Sequence, residues 1–275
     1  MKPCFNTFTA GDKALEDTLR YSGMYGFQAV EIAKSHLYKY LDNRSVGDLN
    51  SLLNNTKLVV SGLMDFHFKP FASESELAET LADFEEGCDM AARIGASMVV
   101  SCINPEQVPP EGLSEGEVFR QAASVAGRYG EIAEKHGLPV ALEPLGFARF
   151  MSRPSDALRI AEESGLTHVG IMFDTFHNFR AGVSLSEIEA IPLDKLLVVH
   201  VNDAPDLPKD DLTDFHRVHC GLGDMPLVEI FRILRKKGYE GYLSVEIFNK
   251  AYWEDDLEKV VREAKEHLDK ILALV

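Results

Sequence analysis

Short β-rich apolar runs alternate with longer segments of helical spacing from one end of the chain to the other. The runs are Cys4–Phe8, Ala29–Ala33, Leu58–Met64, Met98–Cys102, Pro139–Glu143, Gly170–Asp174, Leu197–Val201 and Leu243–Ile247. They lack strict apolar–polar alternation, the pattern of strands buried on both faces. Between them, Glu76–Ile94 sets Leu77, Leu81, Phe84, Cys88, Ala91 and Ala92 at helical spacing. Ser114–His136 and Leu257–Leu274 behave in the same way. Ser73 with Glu76, and Ser114 with Glu117, read as capping boxes. Gly95, Gly137, Gly165 and Gly238 fall where helix C-caps are expected, and Pro154 is placed to open the helix before the sixth strand. Eight strand–helix units in 275 residues give about 34 residues each, which fits an α/β fold of the (β/α)8 TIM-barrel type. A doubly wound open sheet is the alternative. It is disfavoured because no glycine-rich dinucleotide turn follows the first strand. No linker or low-complexity tract interrupts the alternation, so residues 1–275 are read as a single domain.

Composition narrows the partners. Hydrophobic residues make up 45% of the chain and charged residues 26%, and the formal net charge is −16. That acidity disfavours nucleic acid and anionic membrane surfaces as partners. No apolar run approaches the length of a membrane span. Cys4, Cys88, Cys102 and Cys220 are far apart and form no CxxC pair. With no secretory signal at the N-terminus, they are expected to be reduced thiols in a cytoplasm.

Against this background four polar residues stand out, each at the end of an apolar strand. Glu143 ends Leu138–Glu143, Asp174 ends Val169–Asp174, His200 follows Leu196–Val199, and Glu246 lies in Tyr242–Ile247. A charge inside an apolar strand is costly unless it is paired or bound to a metal. In a (β/α)8 barrel the C-terminal strand ends converge on the active-site face. Strands five to eight would therefore bring these four side chains to one ion. Three carboxylates and an imidazole form a hard, oxygen-rich donor set suited to Mn²⁺, Mg²⁺ or Co²⁺ and open to Zn²⁺. The bland alternative is that each acid caps a neighbouring helix or forms a buried salt bridge.

The surrounding motifs are ALEPLG at Ala141–Gly146, FDTFH at Phe173–His177 and VVHVNDAP at Val198–Pro205. RVHCGLGDMPL at Arg217–Leu227 and GYEGYLSVEIF at Gly238–Phe248 follow. On these the chain resembles the xylose-isomerase-like TIM-barrel superfamily of sugar isomerases and epimerases. Within it, the stretch LTDxxRVxxGxG at Leu212–Gly223 is similar to that of the keto-inositol (inosose) isomerases. The resemblance implies one divalent metal held by Glu143, Asp174, His200 and Glu246. It implies a polyol or keto-sugar substrate that reacts through a metal-stabilised cis-enediolate, with Glu143 and Glu246 as the acid–base pair. His177 and Arg217 match positions that contact substrate oxygens.

Other residues carry two readings each. Arg217 lies in an otherwise acidic loop, where it binds an enediolate oxygen or a loop carboxylate. Glu31 in the second strand reads as a substrate contact or as a salt bridge to another strand end. His67 after the third strand is a candidate wall of the substrate pocket, and Asn104 after the fourth is similar. Tyr252 and Trp253 could cover an apolar sugar face or support a homodimer contact. Gly221–Asp224 reads as a turn, and Arg149 and Arg153 are the remaining candidates for a substrate phosphate. Two rival activities are open: dehydration of inosose or dehydroshikimate within the same superfamily, and DNA repair like that of endonuclease IV, which shares this barrel and part of the motif. The second needs more histidines than these strand ends offer, and the net charge opposes it.

Overall fold

The computed structural model describes all residues from Met1 to Val275. Eight parallel strands close into a barrel in sequence order, β1 pairing with both β2 and β8. They are β1 (Lys2–Asn6), β2 (Ala29–Ala33), β3 (Val59–Phe68), β4 (Val99–Ile103), β5 (Val140–Glu143), β6 (Val169–Asp174), β7 (Leu196–Val201) and β8 (Tyr242–Val245). The helices of the outer ring are α1 (Leu15–Met24), α2 (Lys34–Leu41), α3 (Val46–Thr56), α4 (Glu74–Arg93), α5 (Glu115–Glu134) and α6 (Pro154–Glu163). They continue with α7 (Thr175–Arg180), α8 (Leu185–Ala190), α9 (Leu227–Lys237), α10 (Lys250–Glu254) and α11 (Leu257–Leu272). The expected TIM barrel is thus the observed one, and the open-sheet alternative is excluded by closure of β8 onto β1.

Successive strand residues point to opposite faces, and that alternation builds two separate cores. Val140, Leu142, Ile171, Phe173, Val199, Val201, Leu243 and Val245 face outward into a layer of 66 buried residues shared with the helices. Met64, Met98, Val100, Ala141, Met172 and Val198 face inward and fill the barrel's centre. Glu143, Asp174 and His200 stand two residues beyond Ala141, Met172 and Val198, so they rise on the same inner face at the mouth.

Several ends differ from the sequence reading for local reasons. β1 stops at Asn6 because the Asn6 carboxamide accepts from the Phe8 amide (3.0 Å) and turns Thr7–Ala10 into a 3-10 helix. β3 runs on to Phe68 through an irregularity between Leu63 and Phe66, where Asp65 has φ 80°. Ser73 caps α4 by accepting from the Glu76 amide (3.3 Å), but Glu76 pairs with Lys69 (2.9 Å) instead of closing a capping box. At Ser114 the return bond is present: its amide donates to the Glu117 carboxylate (2.8 Å). Pro154 opens α6 and Gly238 closes α9 in the left-handed region, as expected.

The central core holds six buried side chains, so a void there has few neighbours able to fill it. Met172→Ala is expected to destabilise the fold by about 2–5 kcal/mol. Urea denaturation checks this through a lowered midpoint at unchanged slope.

Candidate metal centre

Asp174 shows how the local sequence aims a ligand. It ends β6 and is also the N-cap of α7, so its Oδ1 accepts from the His177 amide (2.9 Å). Its Oδ2 is left facing the barrel axis, where Arg217 Nη1 (3.0 Å) and Asn202 Nδ2 (3.3 Å) donate to it. Helix capping and site formation therefore use the two oxygens of one carboxylate. His200 pairs in register with Asp174 across β6 and β7 and with Ser244 across β7 and β8. Glu246 follows the last residue of β8. Glu143, Asp174, His200 and Glu246 each present one ligand atom, all within 4.8 Å of one another, and all four residues are buried. His200 Nδ1 lies 3.1 Å from Glu246 Oε2 and 3.8 Å from Asp174 Oδ2.

Arg217 is the largest fully buried side chain in the protein. Its Nη1 donates to Asp174 Oδ2 and to Glu246 Oε2 (2.7 Å), and its Nη2 donates to Asp214 Oδ1 (2.7 Å) and His177 Nε2 (3.1 Å). Of its two readings, the bond to a loop carboxylate is the one observed: Nη2 holds Asp214, while Nη1 holds the strand-end carboxylates. It reaches them because its loop, residues 202–226, folds back on β7. Backbone pairing of Asp203 with Val218 begins the fold-back. The Asp203 carboxylate then accepts from the amides of Ala204 (2.9 Å), Gly221 (2.9 Å) and Met225 (3.0 Å). A Cβ on Gly223 would collide with Ala204 and with the Asp203 carboxylate, so the GLGD turn needs glycine at that point.

The site's charges are strongly coupled. Burial pushes the Glu143 carboxyl well up, and no hydrogen-bond donor reaches it; His177 Nε2 is 3.9 Å away. Burial also opposes charge on Glu246, but His200 and Arg217 beside it hold its carboxyl below the usual range. His200 is likewise desolvated, yet Glu31 and Glu246 raise it well above an ordinary histidine. Burial lowers His177, whose Nε2 accepts from Arg217 and whose Nδ1 has no partner.

A cavity of about 300 Å³ opens above these groups. Glu143, Glu246, His177, Arg217 and Asp214 supply its polar surface, and Phe8, Phe147, Phe215 and Phe248 supply much of its apolar wall. Trp253 buttresses that wall. Its indole donates to the Phe8 carbonyl (2.9 Å), and its ring packs against Phe215 and Phe248.

Two expectations are corrected. Glu31 does not reach the cavity: it is fully buried beneath His200 and accepts from His200 Nε2 (2.7 Å), Ser244 Oγ (2.5 Å) and Asn6 Nδ2 (3.3 Å). Of its two readings, the bond to another strand end is the observed one. It occupies one imidazole nitrogen and leaves Nδ1 to face the ligand cluster. His67 is exposed and is not a lining residue; its Nδ1 lies 3.6 Å from the thiol of Cys102, which does line the cavity. Arg153 is also spent, donating to the Ala181 carbonyl (2.8 Å) and Glu187 (2.6 Å). Asn104 caps its own loop by accepting from the Glu106 amide (2.9 Å). Tyr252 stacks on His219, with ring centroids 4.4 Å apart. Three contributors were not singled out from sequence: Asn6, Asn202 and Asp214. Asn202 stood inside the HxND pattern; Asn6 carried no signal beyond its position on the first strand.

Comparison with known proteins follows from this geometry. Residues 20–271 match the family model described as xylose isomerase-like TIM barrel. The chain is 28% identical to an inosose isomerase of Halalkalibacterium halodurans, over 97% of this chain and 94% of that protein. It is 25% identical to a 3-dehydroshikimate dehydratase of Pseudomonas putida, over 86% of this chain and 36% of that one. A crystal structure of an IolI protein with a bound zinc atom superposes with a TM-score of 0.91 at 24% identity, covering 99% of this chain and 98% of that chain.

Replacing Glu31 with Gln removes the anion that faces His200 Nε2. The His200 imidazolium is expected to titrate at lower pH in metal-free Glu31→Gln than in the parent, followed by imidazole NMR resonances; an unmoved titration would refute the pairing.

Proposed function

Since this chain belongs to the xylose isomerase-like TIM barrel family, we propose that it is a divalent-metal-dependent isomerase of a small polyol ketone, with inosose (2-keto-myo-inositol) as substrate. The observation that carries the reading is the buried cluster of Glu143, Asp174, His200 and Glu246 at the floor of a cavity of sugar size. Full-length similarity to inosose isomerases supports the substrate.

The donor set fits the implied ion. Three carboxylate oxygens and one imidazole nitrogen suit Mn²⁺, Co²⁺, Mg²⁺ or Zn²⁺. Glu31, on the far nitrogen of His200, keeps Nδ1 aimed at the same point. When bound, the cation supplies Lewis-acid stabilisation of charge developing on the ketone oxygen, a contribution of several kcal/mol.

The remaining chemistry belongs to side chains. Isomerisation needs a base to take the proton from the hydroxyl-bearing carbon beside the ketone, and an acid to return one to the neighbouring carbon. Glu143 and Glu246 both line the cavity and take these two parts. Their surroundings favour opposite protonation states, an arrangement that assigns an acid and a base among paired carboxyls. His177 and Arg217 line the same cavity, where Arg217 holds the Asp174 and Glu246 carboxylates in position. The Phe8, Phe147, Phe215 and Phe248 rings exclude water and offer apolar surface to the C–H face of a ring. No helix is long and apolar enough to cross a membrane. The four free cysteines, three of them buried, fit a reducing cytoplasm.

Metal-loaded protein is expected to convert 2-keto-myo-inositol to an isomeric ketone, with deuterium entering from D₂O at the exchanging carbon, as NMR would detect. An unsaturated product formed with loss of water would instead assign the dehydratase activity of the P. putida relative. Glu246→Gln is expected to lower turnover by about 10²–10⁴-fold while the folded circular dichroism spectrum persists.

Metal binding is also expected to release protons. Glu143 and His200 are both shifted upward in the metal-free protein, and both must lose a proton to act as ligands. Affinity should therefore rise as pH climbs above 6.5, the ordinary histidine value. Calorimetric titration with Mn²⁺ in buffers of different ionisation enthalpy reads the proton count directly.

A further inference from the structure

We propose that Asp214 is a specificity-determining residue that acts as a built-in anion: it occupies the outer edge of Arg217 and so restricts the cavity to uncharged cyclic polyols. The inference rests on the reading of this cavity as a polyol site. It concerns which polyols enter, not which reaction follows.

Arg217 is the single lysine or arginine among the residues lining the cavity. A ligand carboxylate or phosphate seeking a side-chain partner would need it, because a paired guanidinium edge is the strongest anion-binding side chain in the lining. Each terminal nitrogen of a guanidinium carries two hydrogens. Nη1 spends its pair on Asp174 and Glu246, and Nη2 spends its pair on Asp214 and His177. Nε is buried and has no partner, so it is closed to a ligand arriving from the mouth.

Of those four acceptors, Asp214 is the one at the solvent side. Its side chain keeps 30% of its accessible surface, against 3% or less for Asp174 and Glu246. It also lines the cavity and sits 3.8 Å from His177 Nε2. Asp214 thus holds the place that a substrate anion would take against Nη2. Glu246, another lining carboxylate, adds negative charge below it, and the four phenylalanine rings add no cation. An anionic ligand would have to displace Asp214 and enter a site that is already electronegative. A neutral polyol can instead donate to the free lone pairs of Asp214 without disturbing the pair. The distinction bears on the relatives: inosose is uncharged, whereas dehydroshikimate carries a carboxylate.

The test uses metal-loaded full-length protein and two ring compounds of similar size, neutral myo-inositol and anionic shikimate. Binding is followed by ligand-observed NMR at low ionic strength. The parent is expected to prefer myo-inositol by at least tenfold. Asp214→Asn is expected to narrow that preference at least tenfold, mainly through tighter binding of shikimate, and added salt should weaken the new shikimate binding. Asp214→Ser serves as a second variant should the first fail to fold, with thermal melting reporting integrity. Parent protein that binds shikimate as tightly as myo-inositol would overturn the proposal. So would variants that lose both ligands in equal proportion, the signature of a loop tether. Selective binding of myo-inositol without turnover of its ketone would sink the isomerase reading alone and leave the role of Asp214 standing.

Discussion

Three carboxylates crowd the mouth of this barrel, and the positive charge placed among them by Arg217 and His200 is the interaction on which the surrounding structure depends. Two like charges about 4 Å apart repel by roughly 4 kcal/mol at the effective dielectric of a partly buried protein site. Glu246 and Asp174 avoid that cost by sharing Arg217 Nη1, with His200 Nδ1 also close to both. Glu143 has no such donor, and burial pushes its carboxyl up. The site is therefore asymmetric before any ligand enters it.

Much of the chain outside the barrel serves to deliver that one guanidinium. Arg217 is far in sequence from Asp174 and is brought back only because Asp203 clamps the loop and Gly223 lets the backbone pass close to Asp203. Arg180 ties the same loop to the one after β5, donating to the carbonyls of Leu212 and Gly146 (2.9 Å each). At Gly146 a side chain would strike the His177 carbonyl, so that loop and α7 can approach only through glycine. Asn249 adds a bond from its carboxamide to the Arg217 carbonyl (2.9 Å). Residues that make no contact with the cavity thereby set its charge. A buried pair of this kind costs about 3–5 kcal/mol to break from one side, so the loop is held by the charges it carries.

The second constraint is strand alternation. Because side chains alternate faces, one register decides that methionines and valines fill the barrel and that polar groups rise above them. Glu31 obeys the same rule one layer lower. It sits where it meets the rear nitrogen of His200 instead of the cavity, and two strand irregularities, at Val30/Glu31 and Leu63/Phe66, adjust the ladder beside it. The aromatic wall is a third layer, from Phe8 and Phe248 on the first and last loops and from Phe147 and Phe215 on loops between. Trp253 fastens part of it to the backbone of the first loop.

The order of elements, the barrel class and the convergence of Glu143, Asp174, His200 and Glu246 were legible in the sequence, because each depends on local periodicity and on strand ends that the fold must bring together. His177 and Arg217 were legible through the motifs that contain them. The positions of Glu31 and His67 were not, because a strand residue's depth depends on barrel tilt and stagger, which no local pattern encodes. Asp214 was one of six aspartates in an acidic loop, and nothing in composition separated it from the others. Sequence by itself determined that Glu143, Asp174, His200 and Glu246 stand at neighbouring strand ends and meet. Only the tertiary structure decided which nitrogen of His200 faces the ligands, which carboxylate is left without a donor, and where the guanidinium spends its hydrogens. Those are matters of distance between chain segments far apart in sequence, and burial makes each of them count in free energy.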